Sequence, residues 1–180
     1  MPRLFTALEI PADVGARLSL LRGGLPRARW IDSEFYHVTL RFIGDIDFRT
    51  ADEIVDALSR VKRRAIHLNI DGLASFGSAK PHAVVARVAS SRALSELQAE
   101  HERIAQKIGL PPEGRRFTPH VTLARLRGTP EREVANYLTL RGGFFAGPFS
   151  VNRFVLYSSK DSTGGGPYLL EQSYSLAEAA

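Results

Sequence analysis

Apolar positions recur along the chain with two periods, the two of a strand and the 3.6 of a helix, in alternating blocks. "RLFTALEI" (3–10) reads as a strand that Pro11 ends. Val14, Leu18 and Leu21 then share one helical face, and Gly23, Gly24 and Pro26 close that helix. The stretch from Trp30 to Ile43 contains a strand. "TADEIVDALSRVKRR" (50–64) is predicted as a helix, with Thr50 and Glu53 at capping-box spacing. "AIHLNIDGLASFG" (65–77) alternates as a strand, and "PHAVVARVA" (81–89) follows as another. "SRALSELQAEHERIAQKIG" (91–109) places Leu94, Leu97, His101, Ile104 and Ile108 at steps of three and four, a helical stripe that Gly109 stops. "TPHVTLARL" (118–126) is a strand. Thr129 and Pro130 are a cap and first-turn pair for the helix "PEREVANYL" (130–138). Two closing strands, 149–159 and 167–177, flank a glycine turn at 164–166.

The order strand–helix–strand–helix–strand thus occurs twice. Each copy carries His-Val-Thr-Leu on its second strand, and His120 follows His37 by 83 positions. A repeat this long predicts two similar lobes about a pseudo-twofold axis within one domain spanning 1–180, rather than a solenoid. The chain of 180 residues is long enough to bury roughly two-thirds of its unfolded surface without staples.

Composition narrows the chemistry. There is no cysteine, which excludes disulfides, thiol nucleophiles and Cys-ligated zinc. The opening apolar run is short and interrupted by Glu9, and no stretch has the length of a membrane span. A cytoplasmic monomer that does not engage membranes is the expectation. The formal net charge is +5 and the pI about 9.9, which points to polyanionic partners such as nucleic acid or nucleotides.

Strand side chains alternate faces, so His37, Thr39 and Arg41 are expected on one face, with Tyr36, Val38, Leu40 and Phe42 on the other. In the second copy His120 and Thr122 share a face opposite Val121, Leu123 and Arg125. Each lobe therefore presents an imidazole and a hydroxyl, and an axis between the lobes turns both pairs toward one cleft. Two histidines can divide the proton work of an in-line displacement at phosphorus, one taking a proton from the nucleophile and one giving a proton to the leaving oxygen. Two threonine hydroxyls can donate to the non-bridging oxygens where charge builds. No metal or cofactor is called for, and no third ligand accompanies the histidines. A single such tetrapeptide is ordinary strand filler; two on equivalent strands of a diverged duplication are not.

These paired motifs, with "RLFTALEIP", "WIDSEFYHVTLRFIGD", "RRFTPHVTLARL" and "FVLYSSKDSTGGGPYLLEQSYSL", resemble the two-histidine (2H) phosphoesterases, in particular the RNA 2′,3′-cyclic phosphodiesterases once called 2′-5′ RNA ligases. The likeness covers nearly the whole chain. It implies an α+β fold of two lobes, each an antiparallel sheet with outer helices, around a central cleft. It also implies hydrolysis of 2′,3′-cyclic phosphates on RNA ends or nucleosides to 2′-phosphates, with 2′-5′ ligation as the reverse reaction. By the same resemblance His37 is the proton donor and His120 the acceptor, each with its threonine, Thr39 and Thr122. The alternative function is a nucleotide- or RNA-binding module with little or no turnover.

Other residues carry weaker signals. For Arg41, phosphate contact and a solvated edge position are both open; for Arg125, a salt bridge and substrate contact are both open. Phe76 and Tyr168 are candidates for stacking on a base, with core packing as the ordinary alternative. Arg115 and Arg116 lie before the second motif, in a loop that either steers RNA or is merely solvated. "RVKRR" (60–64) is expected to complement a helix C-terminus. His101 is expected in the core, His67 pointing away from it, and His82 near the cleft mouth.

Overall fold

The computed structural model describes residues 3–159 and 165–178. Among these residues, nine strands and four α-helices follow in the order β1 (Arg3–Glu9), α1 (Ala12–Ser19), β2 (Ala28–Trp30), β3 (His37–Asp45), α2 (Phe48–Ser59), β4 (Ile66–Phe76), β5 (Ala83–Val88), α3 (Arg92–Lys107), β6 (His120–Leu126), α4 (Glu131–Arg141), β7 (Phe145–Val151), β8 (Arg153–Ser158) and β9 (Leu169–Ser175). The strands form one antiparallel path, β7-β4-β5-β6-β3-β1-β8-β9, with β2 on the other edge of β6.

Two halves of this path meet at a single residue pair, Val38 of β3 against Val121 of β6. These two valines are equivalent positions of the repeat, so the pseudo-twofold axis runs between them. The two antiparallel sheets expected of the lobes are joined by this one bridge into a continuous sheet. The partition of the chain also differs from the simple repeat. β4 pairs with β5 and β7 in the second half, and the closing hairpin β8–β9 returns to pair with β1 in the first.

The helices cover one face. Leu4, Leu8, Val38, Leu40, Val121 and Leu123 from the strands join Leu18, Ile54, Leu58, Leu94, Leu97 and Val134 from the helices in the main core. The opposite face of β1 and β8 carries a second, smaller cluster of Phe5, Ala7, Val155 and Tyr157, with Tyr168 against it. That face holds the site.

Several local expectations change. α2 starts two residues early, because Asp47, not Thr50, is its cap and accepts from the Thr50 amide at 2.7 Å. It ends at Ser59, so "RVKRR" lies beyond the helix, where Arg63 pairs with Glu96 and Glu100 of α3 and Arg60 with Asp56. Thr129 does not cap α4; its hydroxyl donates to Pro26 O at 2.8 Å, tying that loop to the segment before β2. The strand expected over 149–159 is two, β7 and β8, broken at Asn152. The glycine turn at 164–166 lies partly outside the described residues. Among the described residues no helix is long and apolar enough to cross a membrane.

Candidate active site

The two histidine strands have the same irregularity at the same place. Between Thr6–Arg41 and Ala7–Thr39, β3 spends an extra residue, Leu40; between Val84–Ala124 and Val85–Thr122, β6 spends an extra residue, Leu123. Such a bulge resets the alternation of faces. Leu40 and Arg41 both turn to the core, as do Leu123 and Ala124, while Phe42 and Arg125 come round to the face of the histidines.

This exchanges the two arginines expected from strict alternation. Arg41 is 7% exposed and leaves the site: its guanidinium pairs with Glu102 of α3 and donates to the Phe42 and Pro111 carbonyls. The reading of Arg41 as a phosphate contact is corrected accordingly. Arg125, expected on the far face, lines the cavity instead. Phe42, expected in the core, is 48% exposed in the adjoining groove. Sequence reading missed it, because the bulge has no signature in the motif itself.

His37, Thr39, His120 and Thr122 line one cavity of about 100 Å³, together with Phe76, Arg125 and Tyr168. Each imidazole is held by the carbonyl two residues before it. Nδ1 of His37 donates to Phe35 O at 2.8 Å, and Nδ1 of His120 to Thr118 O at 2.6 Å. These carbonyls are again equivalent in the repeat. A carbonyl only accepts, so Nδ1 carries the hydrogen in both rings and Nε2 is the working nitrogen. Thr39 Oγ1 lies 3.1 Å from His37 Nε2 and donates to it while the ring is neutral.

The rings are packed differently. His37 is walled by Phe5, Tyr168 and Tyr157, with centroids at 5.1, 5.2 and 6.1 Å. Tyr157 donates to Glu9 at 3.1 Å, and Arg153 also holds that carboxylate. His120 meets the edge of Phe76 at 4.8 Å. The two aromatic candidates, Phe76 and Tyr168, thus stand one against each histidine. Tyr168 is brought there by Gly165 and Gly166, both at positive φ. A Cβ at Gly165 would sit 2.2 Å from Ile31 Cδ1, and one at Gly166 would sit 2.7 Å from the Phe35 ring.

Burial sets the protonation. Desolvation lowers the His37 pKa to about 4, outweighing its hydrogen bond to Phe35, with His120 and Arg125 lowering it further. His120 is lowered too, chiefly by desolvation and then by Arg125. Both imidazoles are neutral at pH 7 in the unliganded protein.

The remaining candidates lie elsewhere. His101 is buried in the core, with Nδ1 2.8 Å from Thr6 Oγ1 and its ring edge-on to Phe154. His67 is exposed on β4, and the ring of His82 lies 6.3 Å from that of Phe76. Arg115 and Arg116 are exposed and do not line the cavity. Among the described residues no group of three or more His, Asp or Glu side chains could hold a metal ion.

Comparison with known proteins gives the family. The LigT-like phosphoesterase pattern matches the chain twice, over residues 8–86 and 87–168. An RNA 2′,3′-cyclic phosphodiesterase of Aeropyrum pernix is 34% identical over 62% of this chain and 64% of that protein, just under two-thirds of its length. One from Aquifex aeolicus is 28% identical over 82% of this chain and 81% of that protein. Among solved structures, E. coli LigT complexed with 3′-AMP superposes with a TM-score of 0.79 at 23% identity, covering 97% of this chain and 98% of that one. With the family pattern present in both halves and over most of its length, the chain belongs to the LigT-like, two-histidine phosphoesterases.

Proposed function

We infer that this chain is an enzyme that hydrolyses RNA or nucleoside 2′,3′-cyclic phosphates, opening the ring to a 2′-phosphate. The observation that carries the reading is the pair of His–Thr sets, each with Nδ1 tied to a carbonyl, lining one cavity beside Arg125. The relatives to which the chain is similar are named RNA 2′,3′-cyclic phosphodiesterases, which supports the reading.

The chemistry follows from the two nitrogens. Neutral His120 Nε2 takes a proton from water as the water oxygen bonds to phosphorus. The bond from phosphorus to the 3′ oxygen breaks, and His37 Nε2 gives that oxygen its proton. Thr39, Thr122 and Arg125 stabilise the non-bridging oxygens in the transition state. His37 must be protonated for this role, and an anionic phosphate beside it supplies the opposing charge that raises its proton affinity. With a 5′-hydroxyl of a second nucleotide in place of water, the same attack on the cyclic phosphate forms a 2′-5′ linkage as the bond to the 3′ oxygen breaks and that oxygen takes the proton from His37. The same reading has the chain act as a monomer, since one polypeptide supplies both halves of the site, and places that activity in the cytoplasm as an expectation.

The test is incubation with adenosine 2′,3′-cyclic phosphate in EDTA, with the product identified by chromatography. Adenosine 2′-phosphate is expected. A 3′-phosphate would overturn the direction of cleavage, and activity that needs an added divalent cation would overturn the two-histidine mechanism. Saturable binding without turnover would favour the binding-module reading.

A further inference from the structure

A second cavity, of about 250 Å³, opens from the first and shares His37, Thr39, Arg125 and Tyr168 with it. It runs along β1 past Phe5 and Phe42 to Arg3 and Ser159. Among the described residues no acidic side chain lines it. Arg3 sits at its outer end, half exposed, with its guanidinium held 3.4 Å from Asp45 across the β1–β3 pair. Ser159 is 8% exposed, and its amide donates to the Arg3 carbonyl at 2.9 Å, so the two residues lie side by side on the wall of the groove. The groove therefore has a reactive end, an aromatic floor and a second anion-binding end, which the hydrolysis of a cyclic phosphate alone does not use.

The spacing fits one nucleotide. Thr39 is opposite Ala7 on β1, and Arg3 is four residues further along the same strand. At 3.3 Å per residue that is roughly 13 Å between backbones, which leaves room for a nucleotide between the two ends of the groove. We propose that Arg3, with Ser159, binds the phosphate on the 5′ side of the terminal nucleotide while the cyclic phosphate lies between His37 and His120. The preferred substrate is then an RNA end or a 5′-phosphorylated nucleotide rather than a bare nucleoside cyclic phosphate. This rests on the cyclic phosphodiesterase reading and adds a specificity residue to it.

The experiment compares adenosine 2′,3′-cyclic phosphate with the same compound carrying a 5′-phosphate. The wild-type chain should show a lower KM for the 5′-phosphorylated compound. Arg3→Ala should raise that KM on the order of tenfold, the loss of one charge-assisted hydrogen bond, with kcat little changed. The KM for the bare nucleoside should stay the same, and Arg3→Lys should restore part of the preference. Equal changes for the two substrates, in Arg3→Ala and in the milder Arg3→Gln, would overturn the proposal, as would no change for either. Because the bare nucleoside lacks the second phosphate, its turnover by the wild-type chain tests the basic activity separately; absence of that turnover would defeat the phosphodiesterase reading itself.

Discussion

At the scale of single residues, the site is two imidazoles whose charge is set by packing. His37→Ala and His120→Ala should each lower kcat on the order of a hundredfold or more, the scale of one lost general acid or base. Thr39→Ala and Thr122→Ala should cost less, since each removes one donor to the developing charge. A substrate with an activated aryl leaving group needs no proton on that group. It should largely rescue His37→Ala but not His120→Ala, and the opposite pattern would exchange the acid and the base. The pH dependence has a definite direction. Both histidines lose protons more readily than a free imidazole, His37 with a pKa of about 4. The bell in kcat/KM, which reports the free enzyme, should therefore peak on the acid side of the ordinary imidazole value near 6.5. The kcat profile should lie at higher pH, because bound phosphate favours the charged rings.

At the scale of elements, the paired bulges are the feature with the most consequence. Strict alternation along "HVTLRF" and "HVTLAR" places Arg41 in the site and Arg125 outside it. One extra residue in each strand reverses both, and nothing in the local composition announces it. The histidines and threonines were legible because they precede the bulge, where period two still holds. Phe42 and Arg125 follow it and required coordinates. The bulges predict a contrast between neighbouring positions. Arg41→Ala should destabilise the fold by about 1–3 kcal/mol, between the values for exposed and fully buried ion pairs, and leave KM unchanged. Phe42→Ala, on the groove floor, should raise KM with a small effect on thermal stability. Leu40→Ala should cost about 2–5 kcal/mol as a core truncation. Chemical denaturation and steady-state kinetics on the three variants separate these outcomes. The segment carrying Tyr168 makes a further element-scale prediction. Gly166→Ala would drive a methyl group into Phe35 from a backbone that disfavours side chains, so Tyr168 should move off His37 and kcat should fall without global unfolding.

At the scale of the whole molecule, the period of the repeat pointed to two related halves, and the family resemblance supplied the α+β class. The wiring was not. The hairpin that closes the first half comes from the far end of the chain, and only long-range pairing, invisible to a sliding window, decides that. Burial also couples the whole fold to pH. His37 and His101 are both held neutral by desolvation, His101 with a pKa of about 3. The unfolded chain takes up these protons near pH 6.5, before the folded one does. Their contribution to stability is therefore complete above pH 6.5 and lost as pH falls toward 4 for His37 and toward 3 for His101, at about 1.4 kcal/mol per pH unit for each group. Urea midpoints measured from pH 7 to pH 5 should fall, and His101→Gln should fall less steeply than wild type; parallel curves would contradict the sign. The axis between Val38 and Val121 carries one more implication. Rotation about it exchanges the reacting groups, so a cyclic phosphate turned end for end would meet nearly the same acid, base and donors. What distinguishes the two orientations is the unequal surroundings: the Phe5, Phe42 and Tyr157 rings on one side, Phe76 on the other. On the proposed reaction, the walls and not the proton-transferring residues select which ribose oxygen is released, so substitutions at Phe42 or Phe76 should change the ratio of 2′- to 3′-phosphate product while His37 and His120 stay in place.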